Sequence, residues 1–386
     1  MNNIKICIVT TISKTMDWFI IDYARELAKN NYDVTLISNM DESFISRNQD
    51  FAQCISIPMK RGIKSGGIFK NIVQLLRIFK DHKYDIVQYA TPNAALYASI
   101  ASKIAGVKIR IYSQWGIRYV GFKGIKRLLF KKIEKFTCRL STHVKGVSYL
   151  NRKFAISEKL CKEEKISVIG KGGTIGVDLT LCDLDTKPLI CSDMRKKYNI
   201  PIDAFVYGYV GRINADKGIN ELITAYRQIN IDCSNVYLIL VGMMDDVNPI
   251  TDYNLEWIIN CNRVVMTGNV SSIEVYSYIA SFDILVHPTY REGFGKVLQE
   301  AMAMAVPIIT TNIPGASEVI ENGISGVLVE ARNANELYEK MNYLKDDMNL
   351  RNIYGLNGRI RVEKYFNRPI MLKNILEDFN QIFVSN

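Results

Sequence analysis

Residues 283–305 read DILVHPTYREGFGKVLQEAMAMA. The run 283–286 is short and apolar, as a buried parallel strand is, and the Ala/Met/Leu-rich end has helical spacing. The join at 287–296 therefore lies at the carboxyl end of a strand and the amino end of a helix. Gly293 and Gly295 let the backbone turn tightly and approach a ligand, and the free N–H groups of a helix beginning near Lys296 face an anion. A lysine in a first helical turn is opposed by the helix dipole unless something negative stands before it. A bound phosphate would be such a thing. Two carboxylates, Glu292 and Glu300, bracket the turn. A capped helix with two solvated carboxylates is the plainer reading, since glycine-rich strand-to-helix turns are common.

A second signal lies upstream. Residues 205–210 read as a strand that ends in VGRINADKG at 210–218. Arg212 and Lys217 are five apart across a turn, close enough for both cations to converge on one diphosphate. Alone, such a pair is more often solvated. Together with Glu292 and Glu300 it becomes a constellation.

The Glu-x7-Glu pattern of Glu292 and Glu300 around an E-G-F-G turn, with the G-R-x4-K-G run from Gly211, resembles the retaining GT-B glycosyltransferases of family 4. The resemblance covers nearly the whole chain, most strongly 205–330. It implies an α/β fold of two Rossmann-like domains facing across a cleft. The first, 1–175, would bind the acceptor, with a final helix at 366–386 packing back on it, and the second, 176–365, the nucleotide-sugar. Glu292 and the amides after it (Gly293, Phe294, Gly295, Lys296) would contact donor sugar and diphosphate, beside Gly211. Glu300 would bind the ribose, and backbone at Gly268, Asn269 and Val270 the base. Arg212, Lys217 and the helix amides would stabilise the departing diphosphate in place of a metal ion. The expectation is therefore transfer with retention, by same-face displacement, without cofactor or metal. The expected donor is a UDP-sugar and the acceptor a polyprenyl-diphosphate-linked saccharide, in bacterial capsule or O-antigen synthesis.

Two places depart from the family. Many relatives have glycines after the first strand, where this chain has Thr11, Ser13 and Lys14, so a glycine-lined phosphate cradle is not supported there. Ser13 and Lys14 are expected on the acceptor or donor-sugar side, or in an ordinary capped turn. Trp115 stands where many members carry a histidine near the donor sugar, and that role does not carry over. It reads as a sugar platform or as packing.

The chain as a whole fits this reading. At 386 residues it allows two or three domains with sizeable cores. Strands are expected at 5–10, 33–38, 53–57, 85–89, 108–113, 142–148 and 165–169, with helices between, one running to Lys29 and one at 93–105 capped by Thr91. This is parallel βαβ alternation. A glycine-dense stretch at 170–178 reads as a hinge, after which the alternation restarts. Eight cysteines without a C-x-x-C pair, and three histidines, argue against zinc and against a disulfide framework. Asp183-Leu184-Asp185 has a metal-binding look but falls in the linker.

The net charge of +10 is unevenly placed. Residues 60–165 hold 24 Lys/Arg and 6 Asp/Glu, which is +18, leaving −8 for the rest. Such asymmetry points to an anionic partner for one half. Within it, 123–139 (KGIKRLLFKKIEKFTCR) puts Ile125, Leu128, Leu129, Ile133 and Phe136 on one stripe. Lys123, Lys126, Arg127, Lys131, Lys132 and Lys135 lie around it, as in a helix drawn to anionic lipid; an ordinary helix burying its stripe is the alternative. No apolar run reaches membrane-span length and residues 1–10 lack a leader's regions. The expected location is cytoplasmic, peripheral on the inner face of the cell membrane. A nucleotide-sugar epimerase of the same layout and a basic nucleic-acid-binding protein are the rival readings. The second lacks binding motifs, so no nucleic-acid partner is expected, and no G-x-G-x-x-G follows an early strand to support a nicotinamide enzyme.

Overall fold

The computed structural model describes residues 3–60, 62 and 67–385; Arg61 and residues 63–66 of the basic segment lie outside them. The chain forms two compact α/β units, Met1–Ile175 with Pro369–Asn386, and Gly176–Arg368.

Unit one is built on strands β1 (Ile4–Ile12), β2 (Tyr32–Asn39), β3 (Ala52–Ser56), β4 (Ile86–Ala90), β5 (Ile109–Gln114), β6 (His143–Gly146) and β7 (Ile166–Val168). They pair in parallel in the order β3-β2-β1-β4-β5-β6-β7. Successive residues of β1 serve opposite faces, as the pleat requires. Cys7 and Val9 join the core packed with Tyr89 and Val144, while Ile6 and Ile8 join the core that holds Phe44 and Ile111. The C-terminal helix Arg368–Val384 contributes Ile375, Phe379 and Ile382 to this second core. The Tyr32 hydroxyl donates to Asn380 Oδ1 at 2.8 Å, and Lys145 pairs with Asp378.

The structure corrects the sequence reading at several points. Residues 366–368 belong to unit two, where the Val177 amide donates to the Phe366 carbonyl at 2.8 Å. The first helix is broken at Ile20 into Ser13–Phe19 and Ile21–Lys29, and β1 runs on to Ile12, so Ser13 opens a helix directly. Thr91 does not cap the helix Pro92–Ile104 with its side chain. Thr91 takes φ 67°, and its hydroxyl lies 2.7 Å from that of Thr11.

The basic helix spans Gly124–Leu140 and buries Phe130, Glu134, Thr137 and Cys138. The Glu134 carboxylate accepts from the Tyr112 hydroxyl at 2.9 Å and from Gln114 Nε2 at 2.6 Å. The opposite face leaves Ile125 85% exposed and Leu128 61% exposed, with Leu129 and Phe136 also open. Most of the stripe is therefore a surface and not a core contact, with Ile133 alone half-buried. Lys131 is engaged with Glu158 at 2.6 Å and Arg127 lies over the Tyr119 ring, so Lys123, Lys126, Lys132 and Lys135 are the exposed cations beside it.

Unit two carries β8 (Phe205–Val210), β9 (Val236–Val241), β10 (Val264–Gly268), β11 (Ile284–His287), β12 (Ile308–Thr311) and β13 (Val327–Val329). These too are parallel, in the order β10-β9-β8-β11-β12-β13. The chain winds outward from β8 one way and from β11 the other. The reversal at the carboxyl ends of β8 and β11 is where open α/β sheets bind ligands.

Candidate active site

Both motifs meet at that reversal. Gly211 to Gly218 leave β8, and His287 to Gly295 bridge β11 to the helix Lys296–Ala303. The two loops touch main chain to main chain at Gly218, and the segment after β12 touches the second loop at Gly315. A β-carbon on Gly218, at φ 70°, would lie 1.9 Å from the Pro288 carbonyl oxygen. One on Gly315, at φ 88°, would lie 2.2 Å from the Gly293 oxygen. Asn214 Oδ1 accepts the Lys217 amide at 3.0 Å and holds the 214–218 turn.

Lys217 Nζ lies 2.7 Å from Glu292 Oε2, and His287 Nε2 lies 3.3 Å from the same oxygen. Burial would raise the Glu292 carboxyl, but the Lys217 charge and the bond from His287 outweigh it and hold the group well below the usual carboxylate range. Glu300 shows the reverse balance. It is buried, and desolvation lifts its carboxyl above the ordinary value although Lys296 lies 3.3 Å away on the same helix. Lys296, unfavoured by the helix dipole, thus finds its counter-charge one turn on.

Arg212, 62% exposed at its side chain, pairs with Asp245, which also accepts from Asn214 Nδ2 and the Val247 amide at 3.0 Å each. Arg291 pairs with Asp216. Lys217 and Arg212 are therefore each turned onto a carboxylate and not onto one shared point. Each of these four cations has one acidic partner, so side chains give the site no large excess of positive charge. The helix end adds a partial positive charge of about half a unit. Gly295 enters it at φ 55°, no side chain caps it, and its first turn holds no acid. Phe294 is buried with its ring edge-on to Phe366, 5.5 Å away, which anchors the turn below these amides. The Gly293 amide donates to Glu292 Oε1 at 3.1 Å.

Gly268 closes β10 at φ 69°, with Asn269 exposed and Val270 half-buried. Gly268 bridges to Gly242 at the end of β9. In unit one, Ser13 opens its helix and Lys14 Nζ sits 5.0 Å from the centre of the exposed Trp18 ring. Trp115 packs on Phe19 at 5.1 Å and lines a cavity of about 40 Å³ with Tyr23, Gln88, Ser113 and Lys145. That is space for a few waters and not for a sugar ring. Among the described residues no group of three or more His, Cys, Asp or Glu could hold a metal ion.

Sequence reasoning missed Asp245 and His287 as site residues. Each lies at or just past a strand's carboxyl end beside a motif, and that position was the available signal.

An α/β unit whose two motif loops meet at a strand-order reversal, one of them opening an uncapped helix, has the form of a glycosyltransferase. Residues 192–361 match the family model "Glycosyl transferases group 1", and residues 5–147 match "Glycosyl transferase 4-like". The chain is 34% identical over 380 residues to the capsular polysaccharide biosynthesis glycosyltransferase CapM of Staphylococcus aureus, covering 98% of each. It is 25% identical over 351 residues to the UDP-Gal:alpha-D-GlcNAc-diphosphoundecaprenol alpha-1,3-galactosyltransferase of Escherichia coli, covering 88% of this chain and 87% of that protein. The fold is shared with Anabaena HepE, solved with UDP and glucose, at a TM-score of 0.80 and 21% identity, over 98% of this chain and 100% of HepE. The chain belongs to the GT-B glycosyltransferases, in the group these two models describe.

Proposed function

We propose that this protein moves a sugar from a UDP-sugar to a polyprenyl-diphosphate-linked saccharide, with retention, during assembly of a bacterial surface polysaccharide. The observation that carries the reading is the Lys217–Glu292 ion pair, which joins the loop after β8 to the turn that opens the uncapped helix Lys296–Ala303 at the β8/β11 reversal. As the glycosidic bond breaks, negative charge grows on the leaving diphosphate. Amides fixed at the helix end stabilise that charge with little reorganisation, and the cations add to it by exchanging partners. Lys217 and Arg212 leave Glu292 and Asp245 for the diphosphate, and no metal is required.

Glu292 is assigned to orienting the donor: His287 holds its Oε2 from below, and Lys217 holds it until the diphosphate draws that cation away. The displacement is same-face, within an ion pair. Glu300 takes the ribose hydroxyls, and the loop from Gly268 to Val270 holds the base.

The names of the Staphylococcus aureus and Escherichia coli relatives, one capsular and one specifying a diphosphoundecaprenol acceptor, support the pathway class and the lipid carrier. The exposed apolar face of helix Gly124–Leu140, flanked by lysines, supports a peripheral seat on an anionic inner leaflet. Among the described residues no helix is long and apolar enough to cross a membrane.

The test is a panel of labelled UDP-hexoses and UDP-N-acetylhexosamines, each with and without a prenyl-diphosphate-linked saccharide. Label should enter the lipid-soluble product with the donor's anomeric configuration. Conversion of the donor to another nucleotide-sugar without acceptor would instead establish an epimerase.

A further inference from the structure

Beneath Glu292 lies the imidazole of His287, the last residue of β11, with a side chain 2% exposed. Its Nε2 is 3.3 Å from Glu292 Oε2, the oxygen that Lys217 also holds. Its Nδ1 is enclosed without a hydrogen-bond partner. The ring lies flat on Tyr209, 5.6 Å between centres and 10° between planes, and the Tyr209 hydroxyl donates to the Arg212 carbonyl at 2.8 Å.

A neutral imidazole has one N–H to place. On Nδ1 it would be a buried donor with nothing to accept it, while the Nε2 lone pair faced a carboxylate. Both cost free energy. On Nε2 it is donated to Glu292. Burial disfavours the imidazolium and outweighs the pull of Glu292, and a second positive charge on this oxygen would also be repelled by Lys217. The arrangement is a neutral donor below the carboxylate and a cation beside it.

We propose that His287 is a positioning residue, whose Nε2–H keeps the Glu292 carboxylate in place when Lys217 is drawn to the donor's diphosphate. Lys217 cannot serve two anions equally, and the hydrogen bond from the buried ring is the restraint that remains. Tyr209 stacks on that ring and grips the Arg212 backbone, so one buried column supports both loops. This role rests on Glu292 orienting the donor sugar.

The test uses two replacements in the full chain. His287→Phe keeps a flat ring on Tyr209 without the N–H, and His287→Gln returns an amide N–H near Nε2. The Phe variant should lose on the order of 10- to 100-fold in kcat, the range of a hydrogen bond to a charged group. UDP affinity should stay within about twofold, because orientation and not uniform binding is lost. Gln should recover most of the loss, and Phe should cost nothing further in a Glu292→Ala background. Wild-type kcat in the Phe variant while Glu292→Ala is impaired overturns the proposal. So does equal impairment of Phe and Gln, or additive losses in the double variant. Wild-type turnover in Glu292→Ala alone overturns the assignment of Glu292, and this role with it.

Discussion

Lys217 and Glu292 are 75 positions apart in the chain and 2.7 Å apart in the fold. Their ion pair joins the loop after β8 to the loop after β11 across the point where the strand order reverses. Each partner restrains the other until a competing anion arrives, which makes the pair a measure of both loops at once.

Removing either should be costly to turnover. Lys217→Ala and Glu292→Ala are each expected to lower kcat by on the order of 100-fold or more, through lost stabilisation of charge in the transition state. Circular dichroism should be unchanged. Near-normal turnover in either variant removes that residue from the mechanism.

Glu300 is expected to act on donor binding more than on the chemical step. Glu300→Ala should weaken UDP binding by roughly 10-fold, the scale of a hydrogen bond to a charged group, with a smaller effect on kcat. Isothermal calorimetry with UDP measures this directly, and an unchanged affinity would take Glu300 off the nucleotide.

Activity should survive EDTA, since Arg212, Lys217 and the helix amides supply the positive charge. Assays in the chelator, with and without later magnesium or manganese, decide it. Loss on chelation with recovery on adding either ion contradicts the charge assignment.

The pH dependence of stability should carry a mark of His287. Burial holds its imidazole below the ordinary value of 6.5, so the unfolded chain takes up a proton at pH values where the folded one does not. Stability from this residue is fully present above the unfolded value and falls as pH drops through it. His143 is shifted the same way, so the comparison must be with a variant. Between about pH 7.5 and pH 5.5 the Tm of His287→Phe should fall less than that of wild type. Parallel Tm curves would place the protonation elsewhere.

Vesicle sedimentation tests the basic helix. Lys123, Lys126, Lys132 and Lys135 to Gln should weaken binding to anionic vesicles most at low salt, because screening already suppresses these charges at high salt. Ile125→Ser with Leu128→Ser should weaken it at either salt. UDP binding should be spared in both. Sedimentation equal to wild type in both sets sinks the membrane seat.

The sheets were legible because their strands are short apolar runs separated by turn residues. Elements without that contrast were not. The seven-residue helices Glu42–Asn48 and Glu274–Ala280, and the polar helix Lys187–Lys197, carry too little periodicity to stand out. For Gly124–Leu140 the sequence exposes an apolar stripe, but which face packs depends on Tyr112 and Gln114 receiving Glu134 from another element. In the site, Arg212, Lys217, Glu292 and Glu300 stand in recognisable spacings. Asp245 takes its meaning from Arg212 and Asn214, more than thirty positions away, and His287 from a ring buried at the strand end, which nothing in its spacing to Glu292 announces.

Gly218 and Gly315 bear on how such a protein can change by descent. At each, the atom that a β-carbon would strike is a main-chain carbonyl oxygen, which no neighbouring side-chain replacement can clear away. Main chain meets main chain at both, so these two positions stay closed to every residue but glycine whatever the side chains around them become.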